Sequence, residues 1–151
     1  ESDLRRISLQ RVLDTQVENT REIYREATVS LDGSIPDVAI YADELLSTVF
    51  HNLLSNAVEH NDREEPYVDV SIRRDGETVA VSVADDGPGI PQRERDRLRE
   101  VDAGPDPSGD AGLGLYIVGM LVDRYDGTVS IADREPRGTV VTVELPVADS
   151  Q

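Results

Sequence analysis

The chain has 151 residues, enough for one domain around one core. Its 31 acidic and 15 basic residues leave a net charge of −16, which repels nucleic acid and argues against a direct DNA or RNA role. Cysteine is absent, which excludes disulfides and thiolate metal sites, and no apolar run approaches a membrane span or a signal peptide.

With one Phe, five Tyr and no Trp, the core has to come mostly from Val, Leu, Ile and Ala. Residues 8–26 place Leu9, Val12, Leu13, Val17, Ile23 and Tyr24 at helical spacing and predict an amphipathic helix. Ala27 to Leu31 and Val38 to Tyr41 read as strands separated by the Asp32-Gly33 turn. Asp43 is placed to cap a second helix that runs to about His60. Tyr67 to Arg74 and Thr78 to Ala84 alternate apolar and polar residues around Asp75-Gly76, a hairpin signal. Residues 91–111 read as a short helical piece followed by a mobile loop. Leu113 to Tyr125 predicts a helix, and Thr128 to Ala132 with Thr139 to Leu145 a closing strand pair. The order predicts an α+β domain: a two-layer sandwich, with three helices covering one face of a mixed, mostly antiparallel sheet.

The second helix is unusual. Leu45, Leu46, Val49, Phe50, Leu53, Leu54 and Ala57 make one broad apolar face, yet Asn56 and His60 fall inside that arc and Asn52 at its edge. A buried amide requires partners, so something polar should meet this stripe. An Asn carbonyl oxygen is a suitable hard ligand for Mg²⁺, which shares its shell with phosphates and water. The plainer reading is a pair of structural asparagines bonded to nearby backbone, with His60 facing the carbonyls at the helix end.

Val79, Val81 and Val83 lead a strand into Asp85-Asp86-Gly87-Pro88-Gly89-Ile90. A carboxylate at such a strand end can accept a hydrogen bond from the exocyclic amine of adenine and repels the carbonyl that guanine carries there. An ordinary acidic turn has the same composition. Further on, Gly112-Leu113-Gly114-Leu115 opens a helix, whose free N–H groups suit phosphate or simply begin the helix after a glycine-rich loop. Arg93, Arg95, Arg97 and Arg99 precede it, either a solvated face or, through Arg97 or Arg99, a partner for a γ-phosphate. Gly138-Thr139 begins the last strand.

Taken in order, FHNLLSNAVEH, ADDGPGI, GDAGLGLYIV and RGTVVTVELP resemble the ATP-binding catalytic domain of sensor histidine kinases. That domain belongs to the wider superfamily of type II topoisomerase and heat-shock chaperone ATPases. The resemblance spans about Ile7 to Leu145 and implies the Bergerat-type ATP-binding fold over residues 8–147. Residues 1–7 are then the end of a linker from a phosphoacceptor hairpin outside this chain, and 148–151 a tail. It implies Asn56 facing Mg²⁺–triphosphate, Asn52 in a metal or supporting role, and His60 near the phosphates or base. Asp85 reads adenine, Gly87, Gly89 and Ile90 complete its turn, Gly112, Leu113, Gly114 and Leu115 cradle phosphate, and Thr139 supports Asp85. Topoisomerase-type ATPases carry a water-activating Glu where this chain has Asn52, which favours phosphotransfer over hydrolysis.

Three features depart from the family pattern. Asp86 stands where Asn is usual, Asp110 where the first glycine of GxGLGL is usual, and the lid lacks its phenylalanine pair, with Leu98 and Val101 the nearest apolar residues. His51 and His60, the chain's two histidines, are in no phosphoacceptor motif. The expected role is therefore to position Mg²⁺-ATP for a histidine on a separate dimerisation domain, which passes phosphate to a response-regulator receiver domain. A non-catalytic nucleotide-binding module and a serine-directed kinase of the anti-sigma-factor type remain open. Neither nucleic acid nor a membrane is an expected partner of the domain. The acidic residues are scattered over exposed faces and every basic residue is Arg, which fits a salt-adapted cytoplasmic domain of a halophilic archaeon, its parent protein membrane-anchored or not.

Overall fold

The computed structural model describes residues 4–89 and 110–148. Ten elements follow in chain order: β1 (Arg5–Ser8), α1 (Leu9–Ile23), β2 (Thr28–Asp32), β3 (Ala39–Ala42), α2 (Leu46–Glu59), β4 (Tyr67–Asp75), β5 (Thr78–Asp85), α3 (Asp110–Arg124), β6 (Thr128–Asp133) and β7 (Thr139–Pro146). The expected segment over 91–111 lies outside the described residues except for its last two positions, which begin α3.

Five strands form one sheet in the order β2-β4-β5-β7-β6. Only β2–β4 is parallel; the other neighbours are antiparallel. Alternation in the sequence sets which face is buried: Val68, Val70, Val79, Val81, Val83, Val143 and Leu145 all point into the core. The helices cover that face, with α2 packed against both α1 and α3 and against β4 and β5. Phe50, the single Phe, is fully buried on α2 together with Leu46, Val49 and Leu54. The architecture is the two-layer α+β sandwich that the element order predicts.

Four local expectations shift. Arg5–Ser8 forms a strand, pairing antiparallel with β3 in a separate two-stranded sheet in which Ile7 meets Ile40. Nothing in Arg5-Arg6-Ile7 alternates, so the pairing comes from β3 and from Leu9, whose N–H reaches the Val38 carbonyl at 3.0 Å. Helix α1 starts on a Ser8 cap, whose hydroxyl accepts from the Arg11 N–H at 3.2 Å. It ends at Ile23, not 26, because Tyr24 leaves helical geometry and Arg21 donates two bonds to the Val29 carbonyl, turning the chain into β2. Ile23 and Leu45 are exposed and so fall outside the core. Helix α3 begins at Asp110, three residues before the expected Leu113, so Gly112 and Gly114 lie within its first turns.

Asp43 does serve the start of α2, though from outside the helix. Its carboxylate accepts from the Leu45 N–H at 3.0 Å and its carbonyl from Leu46. It is also a tie between helices: the Tyr125 hydroxyl, just past α3, donates to it at 2.5 Å and Arg124 lies 2.9 Å away.

Candidate functional site

The C-terminal half of α2 and the ends of β5 and β7 converge on a cavity of about 450 Å³, counting the part open to solvent. Helix α2 contributes Leu53, Asn56 and Ala57, with His60 just past its end. Strand β5 contributes Val83 and Asp85, the turn after it Pro88 and Gly89, α3 Leu115, and β7 Thr139 and Val141. The walls are aliphatic, with a few polar groups set among them, the usual make-up of a small-molecule site.

Asp85 is placed by sheet register. It pairs with Val68 on one side and Thr139 on the other, so the buried Thr139 and the carboxylate share one end of the sheet. One carboxylate oxygen accepts from the Gly87 N–H at 2.9 Å. Burial lifts the Asp85 carboxyl above the usual carboxylate range, and the neighbouring Asp86 charge adds to the lift. Backbone bonds from Gly87 and Thr139 and the charge of Arg134 oppose it. Gly138, at φ +122°, leaves room for this arrangement: a Cβ there would lie 1.9 Å from the Asp85 carbonyl oxygen.

Asn56 is the polar residue that α2 turns toward α3. Its Nδ2 is buried and, among the described residues, has no hydrogen-bond partner. Gly114 is why α3 can come so close: a Cβ there would sit 2.8 Å from that nitrogen. An amide in this state can serve either polarity, donating to a phosphate oxygen or turning its carbonyl to a cation.

The structure thus brings Asn56, His60, Asp85, Gly89, Leu115 and Thr139 together around one cavity, with Gly87 and Gly114 supporting two of them. Asn52, half-buried one turn earlier on α2, does not line it. Gly112 and Leu113 lie in the first turn of α3. Ile90 and the arginines and apolar residues of 91–109 lie outside the described residues.

Sequence reasoning missed the surroundings of Asp86. This carboxylate does not line the cavity. Its Oδ1 accepts from Asn61 Nδ2 at 2.8 Å and from the Tyr67 N–H at 3.1 Å, while Oδ2 lies 3.2 Å from Arg63 Nε. Burial alone would lift its carboxyl, but the bonds from Asn61 and Tyr67 and the Arg63 charge hold it below the usual range.

Residues 42–149 match the family model of the histidine kinase-, DNA gyrase B- and HSP90-like ATPases. The chain belongs to that ATPase family. Among relatives, sensor histidine kinase DpiB of Escherichia coli (strain K12) is 32% identical over 105 residues, 66% of this chain and 19% of DpiB. The ATPase fold is shared with the mycobacterial sensor histidine kinase MprB, at a TM-score of 0.80 and 23% identity, covering 95% of this chain and 97% of that one. Full-length ShkA, solved in complex with AMPPNP, superimposes at a TM-score of 0.76 and 26% identity over 99% of this chain and 32% of its own. The chain spans less than a third of the curated relatives matched first, 19%, 28% and 24% of their lengths. Among the described residues, no helix of this ATPase-family domain is long and apolar enough to cross a membrane.

Proposed function

We propose that the chain is the ATP-binding catalytic domain of a sensor histidine kinase, holding Mg²⁺-ATP for phosphoryl transfer to a histidine on a separate dimerisation domain. A receiver domain of a response regulator is the next acceptor. The observation that carries this reading is the pairing, across one aliphatic cavity, of a half-buried Asp85 with an Asn56 whose buried Nδ2 has no partner among the described residues. The relative DpiB, a sensor histidine kinase, and the AMPPNP complex of ShkA support it.

Asp85 supplies an anionic acceptor in a desolvated place, where a hydrogen bond to an exocyclic amine is stronger than in water. Guanine would set its carbonyl against that carboxylate, leaving two acceptors face to face. Thr139 and Gly87 fix the carboxylate, and Val83, Val141 and Leu115 give the base apolar walls. Asn56 fits a Mg²⁺–triphosphate: its amide offers a hard oxygen or an N–H donor, its Nδ2 has no partner among the described residues, and Gly114, lacking a Cβ, makes room for it. The bound ion's chemistry would be to neutralise phosphate charge during transfer. His51 is exposed on α2 and His60 faces the cavity, so the accepting histidine is assigned to another domain.

Asp110 in place of a glycine, now within α3, favours a second reading: a module that binds nucleotide without transferring phosphate. Calorimetric titration with Mg²⁺-ATP and Mg²⁺-GTP in about 1 M KCl, where surface repulsion is screened, tests the shared part of both readings. The expected result is binding of ATP and not GTP, and Asn56→Ala should remove the Mg²⁺ dependence of that affinity. Transfer of label to a supplied histidine hairpin separates the two readings. No binding of either nucleotide by a folded domain would reject both.

A further inference from the structure

We propose that Asn61 and Arg63 are positioning residues. Through Asp86 they staple the segment after α2 to the turn after β5, and so set how strictly Asp85 discriminates the base. The inference rests on the nucleotide reading of the cavity and adds a specificity device outside its walls.

Five contacts define the staple. Asn61 Nδ2 donates to Asp86 Oδ1 at 2.8 Å. Arg63 Nε donates to the Asp86 carbonyl at 2.9 Å and faces its Oδ2 at 3.2 Å. The Arg63 N–H in turn donates to Asn61 Oδ1 at 2.9 Å, closing the loop of bonds. The Tyr67 N–H, at the start of β4, adds a second bond to Asp86 Oδ1. Gly87 lies flat against the same segment, so that a Cβ on it would come within 3.3 Å of the Asn61 Cα and of Asp85 Oδ1.

The neighbours in sequence give these contacts their meaning. Asn61 follows His60, and Asp86 follows Asp85; His60 and Asp85 both line the cavity. Fixing residue 61 to residue 86 therefore fixes the lining residue just past the end of α2 relative to the one on β5. Gly87, immediately after the stapled Asp86, donates the hydrogen bond that orients the Asp85 carboxylate. Two adjacent carboxylates would also repel each other, and Arg63 sits on the outer one. The Asp86 found where Asn is usual is thereby matched by a cation. The Arg63 side chain remains 45% accessible, so the bridge contributes little to stability in water, and its value to the molecule is geometric.

The test uses the 151-residue chain and its Arg63→Ala and Asn61→Ala variants. Two quantities are measured. One is the affinity ratio between Mg²⁺-ATP and the Mg²⁺ complex of purine riboside triphosphate, which lacks only the 6-amino group. The other is the Gly87 amide resonance in the nucleotide-free domain. A charge-assisted hydrogen bond to the amine predicts a ratio of about ten or more for the parent chain. Each variant is expected to lower that ratio at least about threefold and to move the Gly87 amide. A tie that merely supports the loop would weaken both nucleotides alike and leave the ratio unchanged, and that result overturns the proposal. Arg63→Ala, at a half-exposed side chain, keeps the test open should Asn61→Ala fail to fold. Failure of the parent chain to bind ATP at all would overturn the nucleotide reading and the selectivity role with it. ATP binding with an unmoved ratio overturns the staple alone.

Discussion

Asp85 is lifted above its ordinary pKa of 3.8 because the folded chain desolvates it. The sign of its stability contribution follows. Unfolded, it ionises near 3.8; folded, it ionises later, so the ionised form's cost in stability is full above the folded value, shrinks as pH falls below that value, and is gone once pH is below 3.8. Asp85→Asn can still accept from the Gly87 N–H but carries no charge. The variant should melt no lower than the parent at neutral pH, while ATP affinity falls about ten- to a hundredfold. Thermal melting and calorimetry on one preparation check both halves, and unchanged ATP affinity would reject the adenine assignment. Two glycines make a paired prediction. At Gly138 a new Cβ meets backbone at 1.9 Å in a positive-φ conformation, so Gly138→Ala should cost more than about 2 kcal/mol in denaturant unfolding. At Gly114 the obstacle is the end of the Asn56 side chain. Gly114→Ala should therefore leave melting within a few degrees of the parent and lose Mg²⁺-ATP affinity, because Asn56 is displaced and the fold is not.

Among the elements, α2 and α3 have to keep a fixed register, since they carry Asn56 and Gly114. The Asp43–Tyr125–Arg124 cluster ties the start of α2 to the end of α3. Burial alone would lift the Asp43 carboxyl, but the Tyr125 hydroxyl, the Leu45 N–H and the Arg124 charge together hold it below 3.8. Its stabilisation is thus present above the unfolded value and is lost as pH falls through the folded one. Asp43→Ala leaves the buried Tyr125 hydroxyl without its acceptor and should cost about 2–3 kcal/mol. Chemical denaturation should also show a shallower loss of stability below pH ~4 than in the parent. Neither half of this cluster could be matched to the other from sequence, because residues 43 and 125 share no spacing rule. The same holds for Asn61 and Asp86. What sequence did reveal were elements whose pattern is their own: the alternating strands β4 to β7, and the stripe on α2 that singled out Asn56 and His60. Strand β1 has no pattern of its own and exists by pairing with β3. The early start of α3 has a comparable cause. Gly114 is tolerated inside the helix, despite a propensity cost of about 1 kcal/mol, because Asn56 fills the space a side chain would need.

At the scale of the whole molecule the dominant fact is charge: 31 acidic against 15 basic residues, none of the latter Lys. Two electrostatic effects oppose each other as salt rises. Screening weakens ion pairs such as Arg21–Glu18 and Arg5–Glu44, both largely exposed, and it also weakens repulsion among the excess carboxylates. Exposed pairs are worth about 0–1 kcal/mol each, and the excess of 16 negative charges has no such counterweight. Relief of repulsion should therefore win. The melting temperature is expected to rise between about 0.1 M and about 1 M KCl, as the Debye length shrinks from about 10 Å to about 3 Å. Salt also strengthens apolar burial in a general way, so the rise alone does not identify its cause. Neutralising two exposed carboxylates on α1, Asp14→Asn and Glu22→Gln, separates the causes. If repulsion is responsible, the double variant melts higher than the parent at low salt and the two converge at high salt. If the salt effect comes from burial alone, the two curves run parallel, and the reading of this surface as salt-adapted would have to be given up.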